Sequence, residues 1–288
     1  MTRLRFLLPL FALALSACAG LAPKERSDVE QLLRQGQAQE ERGDYPQALL
    51  SYVKAASDHP KSAEAHFRVA RTQLAMGNAD VADQAFRRAL ALDPKHTGAL
   101  EGLGLLLLQQ GLRDDGAALL KKVHDQDRQH WRTENALGVL ADLRGDHEEA
   151  RVCFERALAA GGNRPELLNN AGYSRYQAGD LKAARTFIQR ALAQAPDYAM
   201  AWNNLALIRV RQGDAAGAID ALQETVKPHQ AYNDVGYLLY LQGDYAQART
   251  YLRRAIALAP SYYTVAQQNL DRVNTELRMQ NVAAKKKR

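Results

Sequence analysis

Four asparagines recur along the second half of the chain at nearly constant spacing. They are Asn135, Asn169, Asn203 and Asn233, and only the last step is shorter than the others. A carboxamide carries both a hydrogen-bond donor and an acceptor, so a row of them can hold the backbone of an extended peptide without reading its sequence. The spacing therefore predicts a peptide-binding surface. The alternative interpretation is that asparagine at this place only serves helix packing.

Aromatic and apolar residues follow three of these asparagines at offsets of four and seven, which places them on the same face of a helix. They are Tyr173 and Tyr176, Leu207 and Val210, and Tyr237 and Tyr240. A tyrosine offers a large apolar contact area and a polar tip. We predict that these side chains line a groove together with the asparagines. The alternative is that the tyrosines only cover exposed backbone.

One cysteine near the N-terminus stands in a context that predicts lipidation. Residues 1–17 begin with two arginines and continue into an apolar run over residues 6–15, as in a secretion signal. Ten apolar residues are too few to span a bilayer. The run ends in Leu-Ser-Ala before Cys18, which resembles a bacterial lipobox, although an ordinary signal with a chance cysteine remains an alternative. The resemblance implies a lipid anchor on Cys18, and Ala19 favours the outer membrane.

The remaining reactive residue types form no catalytic pattern. Cys153 has no CxxC partner, and none of the seven histidines pairs with another at metal-ligand spacing such as HExxH. No GxxxxGK[ST] phosphate-binding loop occurs in the sequence. We therefore expect no enzymatic activity, no metal and no cofactor, and we expect Cys153 to be a structural thiol.

Glycines define the repeated element that must carry the asparagines. Gly-Asp, Gly-Asn or Gly-Leu pairs begin at Gly43, Gly77, Gly111, Gly145, Gly179, Gly213 and Gly243, with a constant spacing except for a shorter last step. A fixed period of about 34 residues indicates stacked structural repeats. We number the repeats 1 to 7 and count positions in each so that its glycine is position 15. The asparagines then occupy position 5 of repeats 4 to 7, where repeats 1 to 3 have Leu33, Phe67 and Glu101.

Small and large residues occupy fixed positions within each repeat. Position 8 is always small, at Gly36, Ala70, Gly104, Gly138, Gly172, Ala206 and Gly236. Position 24 is always large, at Tyr52, Phe86, Leu120, Phe154, Ile188, Leu222 and Leu252. Two antiparallel helices can approach closely where small faces large. The pattern resembles the tetratricopeptide repeat, which implies an all-α solenoid, a right-handed superhelix of helix pairs, with positions 2, 5, 9 and 12 facing a concave groove.

The predicted organisation follows from this pattern. We expect a signal peptide over 1–17, a tether over 18–28, seven repeats over 29–262, a capping helix over 263–280 and a basic tail over 281–288. Val265, Leu270, Val273 and Leu277 are predicted to share the apolar side of the capping helix. Repeat 6 is four residues short, so we expect an irregularity there.

The net charge of +6 lies at the two ends of the chain. Two arginines precede residue 6 and four basic residues close the tail, so residues 6–284 sum to zero. Nucleic-acid binding needs a clustered basic face, which a neutral body does not supply. We therefore predict protein partners, a membrane contact through the N-terminal lipid, and no nucleic acid. The sequence does not determine the oligomeric state.

Two segments narrow the resemblance further. HWRTENALGVLADLRGDHEEA from His130 and LLNNAGYSRYQAGDLKAA from Leu167, together with the lipobox, resemble the tetratricopeptide lipoprotein of the tight-adherence, or Flp-type, pilus assembly system. This resemblance implies a non-enzymatic accessory factor for pilus assembly and secretion, acting on a secretin or other envelope components. Two alternatives remain open: a pilotin for a type IV pilus secretin, and an adaptor lipoprotein for envelope proteases or cell-wall hydrolases.

Overall fold

The computed structural model describes residues 23–286, with side chains placed from Asp28 to Ala283. Within these residues it contains fifteen α-helices and no β-strand. The predicted all-α architecture of helix pairs followed by a C-terminal helix is thereby confirmed. The predicted lipidation site, Cys18, lies outside the described residues.

The chain divides into an N-terminal unit that ends at Ala99 and a C-terminal unit that begins at Leu100. The helices of the N-terminal unit form two pairs: α1 Pro23–Glu41 with α2 Tyr45–Asp58, and α3 Ala63–Ala75 with α4 Ala79–Leu92. Helix α5, Thr97–Gln109, crosses the boundary in sequence.

In the C-terminal unit, α5 is followed by helix pairs and one long last helix. These are α6 Arg113–Gln126, α7 Trp131–Leu143, α8 His147–Gly161, α9 Pro165–Gln177, α10 Leu181–Gln194, α11 Ala199–Arg211, α12 Ala215–Gln223, α13 Pro228–Leu241, α14 Tyr245–Leu258 and α15 Thr264–Lys286. Odd-numbered helices from α1 to α13 are the first helices of their repeats and even-numbered ones the second.

The Gly-Asp pairs turn the chain between the two helices of a repeat. Gly145 has φ of 80°, a left-handed conformation that glycine adopts without steric cost, and it follows the end of α7. The Asp146 side chain then accepts a hydrogen bond from the backbone N–H of Glu149 at 3.0 Å and caps α8. The glycines that set the repeat all have φ between 76° and 84°. The recurring dipeptide therefore combines a helix stop with a helix start.

The small and large positions meet inside each repeat, as the sequence predicts. A Cβ added to Gly172 would come within 2.8 Å of Ile188, and one added to Gly236 would come equally close to Leu252. The large side chains at position 24 are almost completely buried. Because the glycine leaves room for its partner, the two helix backbones lie close together and the core of each repeat is filled.

Repeat 6 is irregular, as its length indicates. Its second helix, α12, has 9 residues, whereas α10 before it and α14 after it each have 14. Val226 and Lys227 then lead into α13, which starts with proline at its first position. The four missing residues therefore shorten the second helix, and the first helix of the next repeat keeps its full length.

The ends of the described chain differ from three predictions. Helix α1 begins at Pro23, inside the segment assigned to a tether, because proline is well accommodated in the first turn of a helix. Helix α15 runs to Lys286 and includes most of the segment assigned to a tail, since no proline or glycine interrupts it. Val265 is 51% exposed, while Ala266, Leu270 and Val273 are buried. At the start of α15 the buried side therefore includes Ala266 in place of Val265.

Candidate functional site

The position-5 asparagines take part in hydrogen bonds between successive first helices. Asn169 is 1% exposed, and its Oδ1 accepts a hydrogen bond from Asn204 Nδ2 at 2.8 Å. Asn135 Oδ1 accepts in the same way from Asn170 Nδ2 at 3.0 Å. Asn170 and Asn204 both stand at position 6. Position 5 of one repeat is therefore an acceptor for position 6 of the next.

Related contacts appear at the two ends of the series. Asn233 is buried and accepts from Asn269 Nδ2, on α15, at 3.1 Å. In repeat 3, Glu101 stands at position 5, and its Oε1 accepts from Thr133 Oγ1 at 2.9 Å. In both cases the side chain at position 5 accepts a hydrogen bond from the next odd-numbered helix, through an amide in repeat 7 and a carboxylate in repeat 3. This geometry favours a packing role for Asn169 and Asn233.

Asn203 differs from the other asparagines of the series. It is exposed, and its side chain has no hydrogen-bond partner among residues 28–283. The residue at position 6 of the following repeat is Asp234, whose carboxylate cannot donate as an asparagine amide does. The series of inter-repeat amide bonds is therefore interrupted between repeats 6 and 7. The four asparagines are therefore not equivalent, because the residue at position 6 of the next repeat differs among them.

The predicted tyrosines form two stacked pairs, one on α9 and one on α13. The ring centroids of Tyr173 and Tyr176 are 5.9 Å apart, and those of Tyr237 and Tyr240 are 6.1 Å apart. Tyr240 also contacts Tyr245, at the start of α14, with centroids 5.7 Å apart. Stacking at these distances fixes the orientation of the rings.

An open groove of about 440 Å³ crosses α9, α11 and α13. Four of the residues predicted from sequence line it, and four others join them. The lining consists of Tyr173, Tyr176, Leu207, Val210, Arg211, Leu238, Leu241 and Gln242. Tyr237 and Tyr240 are not part of this lining. On α13 and just after it the groove uses positions 10, 13 and 14, instead of the predicted positions 9 and 12.

Exposed apolar and aromatic surface dominates this groove. Tyr173 is 38% exposed and Leu241 is 60% exposed. The Arg211 guanidinium lies 5.2 Å from the centroid of the Tyr176 ring, and its Nη1 donates to the Tyr176 backbone oxygen at 3.3 Å. Tyrosine and arginine are among the residue types that contribute most to protein interfaces. The groove can therefore accept apolar side chains of a partner.

Two models of the tetratricopeptide repeat match the chain. The first matches residues 33–95, 69–130, 102–165, 135–199 and 169–232, and the second matches residues 229–262. The matches cover most of the chain. The protein belongs to the tetratricopeptide repeat family. This membership makes it a protein–protein interaction scaffold, a class that is generally non-catalytic.

Solved structures with the same fold come from varied tetratricopeptide repeat proteins. One from Parabacteroides merdae is 15% identical, with a TM-score of 0.57, and the alignment covers 86% of this chain and 99% of that one. The Pseudomonas aeruginosa pilF structure is 18% identical, with a TM-score of 0.52 and coverage of 88% and 99%. No curated protein matches the chain significantly.

A third similar structure belongs to a complex. It is the APC/C hetero-tetramer Cut9–Hcn1, with 19% identity and a TM-score of 0.59. The alignment covers 87% of this chain and 53% of that one, so the present chain spans about half the length of that protein. Identities this low show a shared fold and leave the partner open.

A polar cluster outside the groove involves the remaining cysteine. Glu134 is fully buried on α7, and its Oε1 lies 2.5 Å from His124 Nδ1. Its Oε2 has no hydrogen bond among the described residues but lies 3.8 Å from Arg156 Nη1. Burial, reinforced by the Glu134 charge, raises the pKa of Cys153 to about 11. Burial therefore favours the protonated thiol, which is the less nucleophilic form of cysteine.

Clustered metal ligands and long apolar helices are the features that would indicate a metal site or a membrane span in the described part of the chain. Among these residues no group of three or more His, Cys, Asp or Glu side chains is placed to hold a metal ion. Within the same residues no helix combines the length and the apolar character needed to cross a membrane.

Proposed function

We propose that the protein is a lipid-anchored scaffold of the bacterial envelope that binds a partner protein in the groove across α9, α11 and α13. The supporting observation is the open groove itself, which presents the exposed side chains of Tyr173 and Leu241 across three successive first helices. A groove of this volume lies within the range of ligand sites in proteins.

The specific biological role in this proposal is accessory to assembly of a tight-adherence, or Flp-type, pilus and its secretion apparatus. It rests on the resemblance of the segments that begin at His130 and Leu167, and on the lipobox before Cys18. The partner is then a secretin or another pilus-assembly component. We place the protein at the periplasmic face of the outer membrane, attached through the lipid on Cys18.

The anchor has its own test. Replacing Cys18 by serine removes the sulfur that would carry the lipid, so the protein should move from the membrane fraction to the soluble periplasmic fraction. Mass spectrometry of the wild-type N-terminus should find a lipid-modified Cys18 as the first residue. An unmodified chain that begins at another residue would contradict the lipid anchor and would not bear on partner binding in the groove.

The groove is tested by crosslinking and affinity capture from envelope membranes. Leu241→Ser removes an apolar contact that is already exposed, so it should reduce partner recovery with little loss of stability. Leu50→Ser is the matched control, because Leu50 is 62% exposed and lies on α2, outside the groove. Recovery of secretin or pilus-assembly proteins with wild type and the control, reduced with Leu241→Ser, is the expected result.

Other outcomes of this capture would change the proposal. Equal recovery with Leu241→Ser would exclude the groove as the contact surface. Recovery of envelope proteases or wall hydrolases would replace the pilus role by an adaptor role. A pilotin role predicts that deletion of the gene reduces assembled secretin in the outer membrane, and normal secretin assembly would exclude it.

A further inference from the structure

The interruption between repeats 6 and 7 leaves a carboxylate without a cationic partner, among the described residues, beside the groove. Asp234 Oδ1 accepts a hydrogen bond from Asn233 Nδ2 at 3.0 Å, just as Asn170 Oδ1 accepts from Asn169 Nδ2 at 3.4 Å. The second polar atom of Asn170 is Nδ2, which donates to Asn135 in the preceding repeat. The corresponding atom of Asp234 is a carboxylate oxygen, which has no proton to give.

The surroundings of Asp234 favour a positive charge. The side chain is half-buried and forms no ion pair among residues 28–283. Burial raises the pKa of Asp234, and the hydrogen bond from Asn233 opposes this only in part. Tyr263, whose own pKa is raised by burial and by the Asp234 charge, adds no positive charge. A partly dehydrated carboxylate without a cation is unfavourable, and a hydrogen-bonded cation offsets that cost.

The helical spacing puts Asp234 on the same face of α13 as two residues that line the groove. Leu238 and Leu241, which line the groove, follow Asp234 by four and seven residues on α13. Four residues correspond to a rise of about 6 Å along a helix. The groove's own cation, Arg211, lies over the Tyr176 ring of α9. An apolar site and a carboxylate therefore stand about one helical turn apart.

We propose that the groove selects extended protein segments in which a lysine or arginine stands two residues from a large apolar side chain, with the cation paired to Asp234. In an extended chain, side chains two residues apart point to the same face and are about 7 Å apart, which is close to the rise between Asp234 and Leu238. The inference rests on the proposed function, since it requires that the groove binds a peptide segment.

The test measures binding of fluorescent decapeptides to the full chain in detergent by fluorescence polarisation. The peptides carry Leu-Phe-Leu in a glycine–serine background, with lysine, glutamine or glutamate two residues from the phenylalanine. We expect the lysine peptide to bind about ten-fold more tightly than the glutamine peptide at low salt, because its ammonium adds the attraction of an opposite charge to the hydrogen bond that a neutral amide could also donate to the carboxylate. The glutamate peptide should bind most weakly.

Variants separate the carboxylate from the groove. Asp234→Asn should remove the preference for lysine and leave glutamine-peptide binding unchanged. Asp220→Asn is the matched control, because it removes the same charge from an exposed position on α12, and it should keep the preference. Raising the salt concentration should reduce lysine-peptide binding to wild type and have little effect on its binding to Asp234→Asn.

The possible failures are distinguishable. If the lysine and glutamine peptides bind wild type equally, but Leu241→Ser weakens the binding of both, peptide binding in the groove is supported and the role of Asp234 is excluded. If Asp220→Asn loses the preference as well, the selection reflects net charge and the inference is overturned. If no peptide binds wild type, the proposed groove itself is excluded for segments of this chemistry.

Discussion

The junction between repeats 5 and 6 and the junction between repeats 6 and 7 start from the same residue type at position 5. In the first junction Asn169 is buried and accepts from Asn204 at 2.8 Å. In the second junction Asn203 is exposed, and Asp234 stands where Asn204 stands in the first. Asn169 therefore joins two helices through its side chain, while the side chain of Asn203 is exposed to solvent.

The difference shows that the role of a repeated side chain depends on its neighbour in the next repeat. Asparagine and aspartate have almost the same shape, but only the amide donates a hydrogen bond. At the first junction a donor meets an acceptor. At the second junction the carboxylate has no proton to donate, and no side-chain hydrogen bond joins Asn203 to Asp234 in the described structure. The hydrogen bond that joins the first helices of repeats 5 and 6 therefore has no counterpart between repeats 6 and 7.

The largest expected loss of stability comes from giving the first junction the aspartate that the second junction carries. Asn204→Asp should lower the free energy of unfolding by about 3 kcal/mol, because Asn204 is 8% exposed and a buried carboxylate would face the oxygen of Asn169. Urea titration followed by far-UV circular dichroism measures this change. Asn204→Ala is the control for loss of the hydrogen bond alone, and it should be less destabilising. An aspartate variant as stable as wild type would contradict the packing role of the position-5 asparagines.

Much of the fold could be predicted from single positions, but only half of the groove lining could, and the environment of Asn203 could not. Gly145 and Asp146 act within a few residues of themselves, and Gly138 meets Phe154 within one repeat, so a local pattern reveals both. The environment of Asn203 depends on Asp234, in the next repeat, and on the register that the short α12 imposes. No pattern within a single repeat reveals either of these.

A smaller effect distinguishes two asparagines at the same repeat position. Asn169→Ala should lower the free energy of unfolding by about 2 kcal/mol, because it leaves the buried Asn204 amide without its acceptor. Asn203→Ala should change it by less than about 0.5 kcal/mol, as exposed substitutions usually do. The same urea titration compares the two. Equal losses would mean that the junctions are equivalent and that the interruption between repeats 6 and 7 has no energetic consequence.

The smallest effect, and the one of opposite sign, comes from repairing the second junction. Asp234→Asn restores an amide at position 6, which can donate to Asn203, and should raise the free energy of unfolding at neutral pH by about 0.5 kcal/mol. Because the pKa of Asp234 is raised in the folded state, the folded wild-type protein binds more protons than the unfolded one. Its stability therefore falls as the pH rises from the ordinary aspartate value, about 4, through the raised value.

The asparagine variant lacks this titration, so its advantage should be small in acid and should grow toward neutral pH. Thermal unfolding of both proteins between pH 3 and pH 7 measures the difference, with Asp220→Asn as the control that keeps the wild-type profile. If the stability difference between Asp234→Asn and wild type stays constant with pH, the carboxylate at position 234 is not destabilised by its surroundings. If the stability difference grows toward neutral pH, the carboxylate of Asp234 lowers the stability of the folded protein. The same negative charge is the one that we propose pairs with a cation of the bound segment.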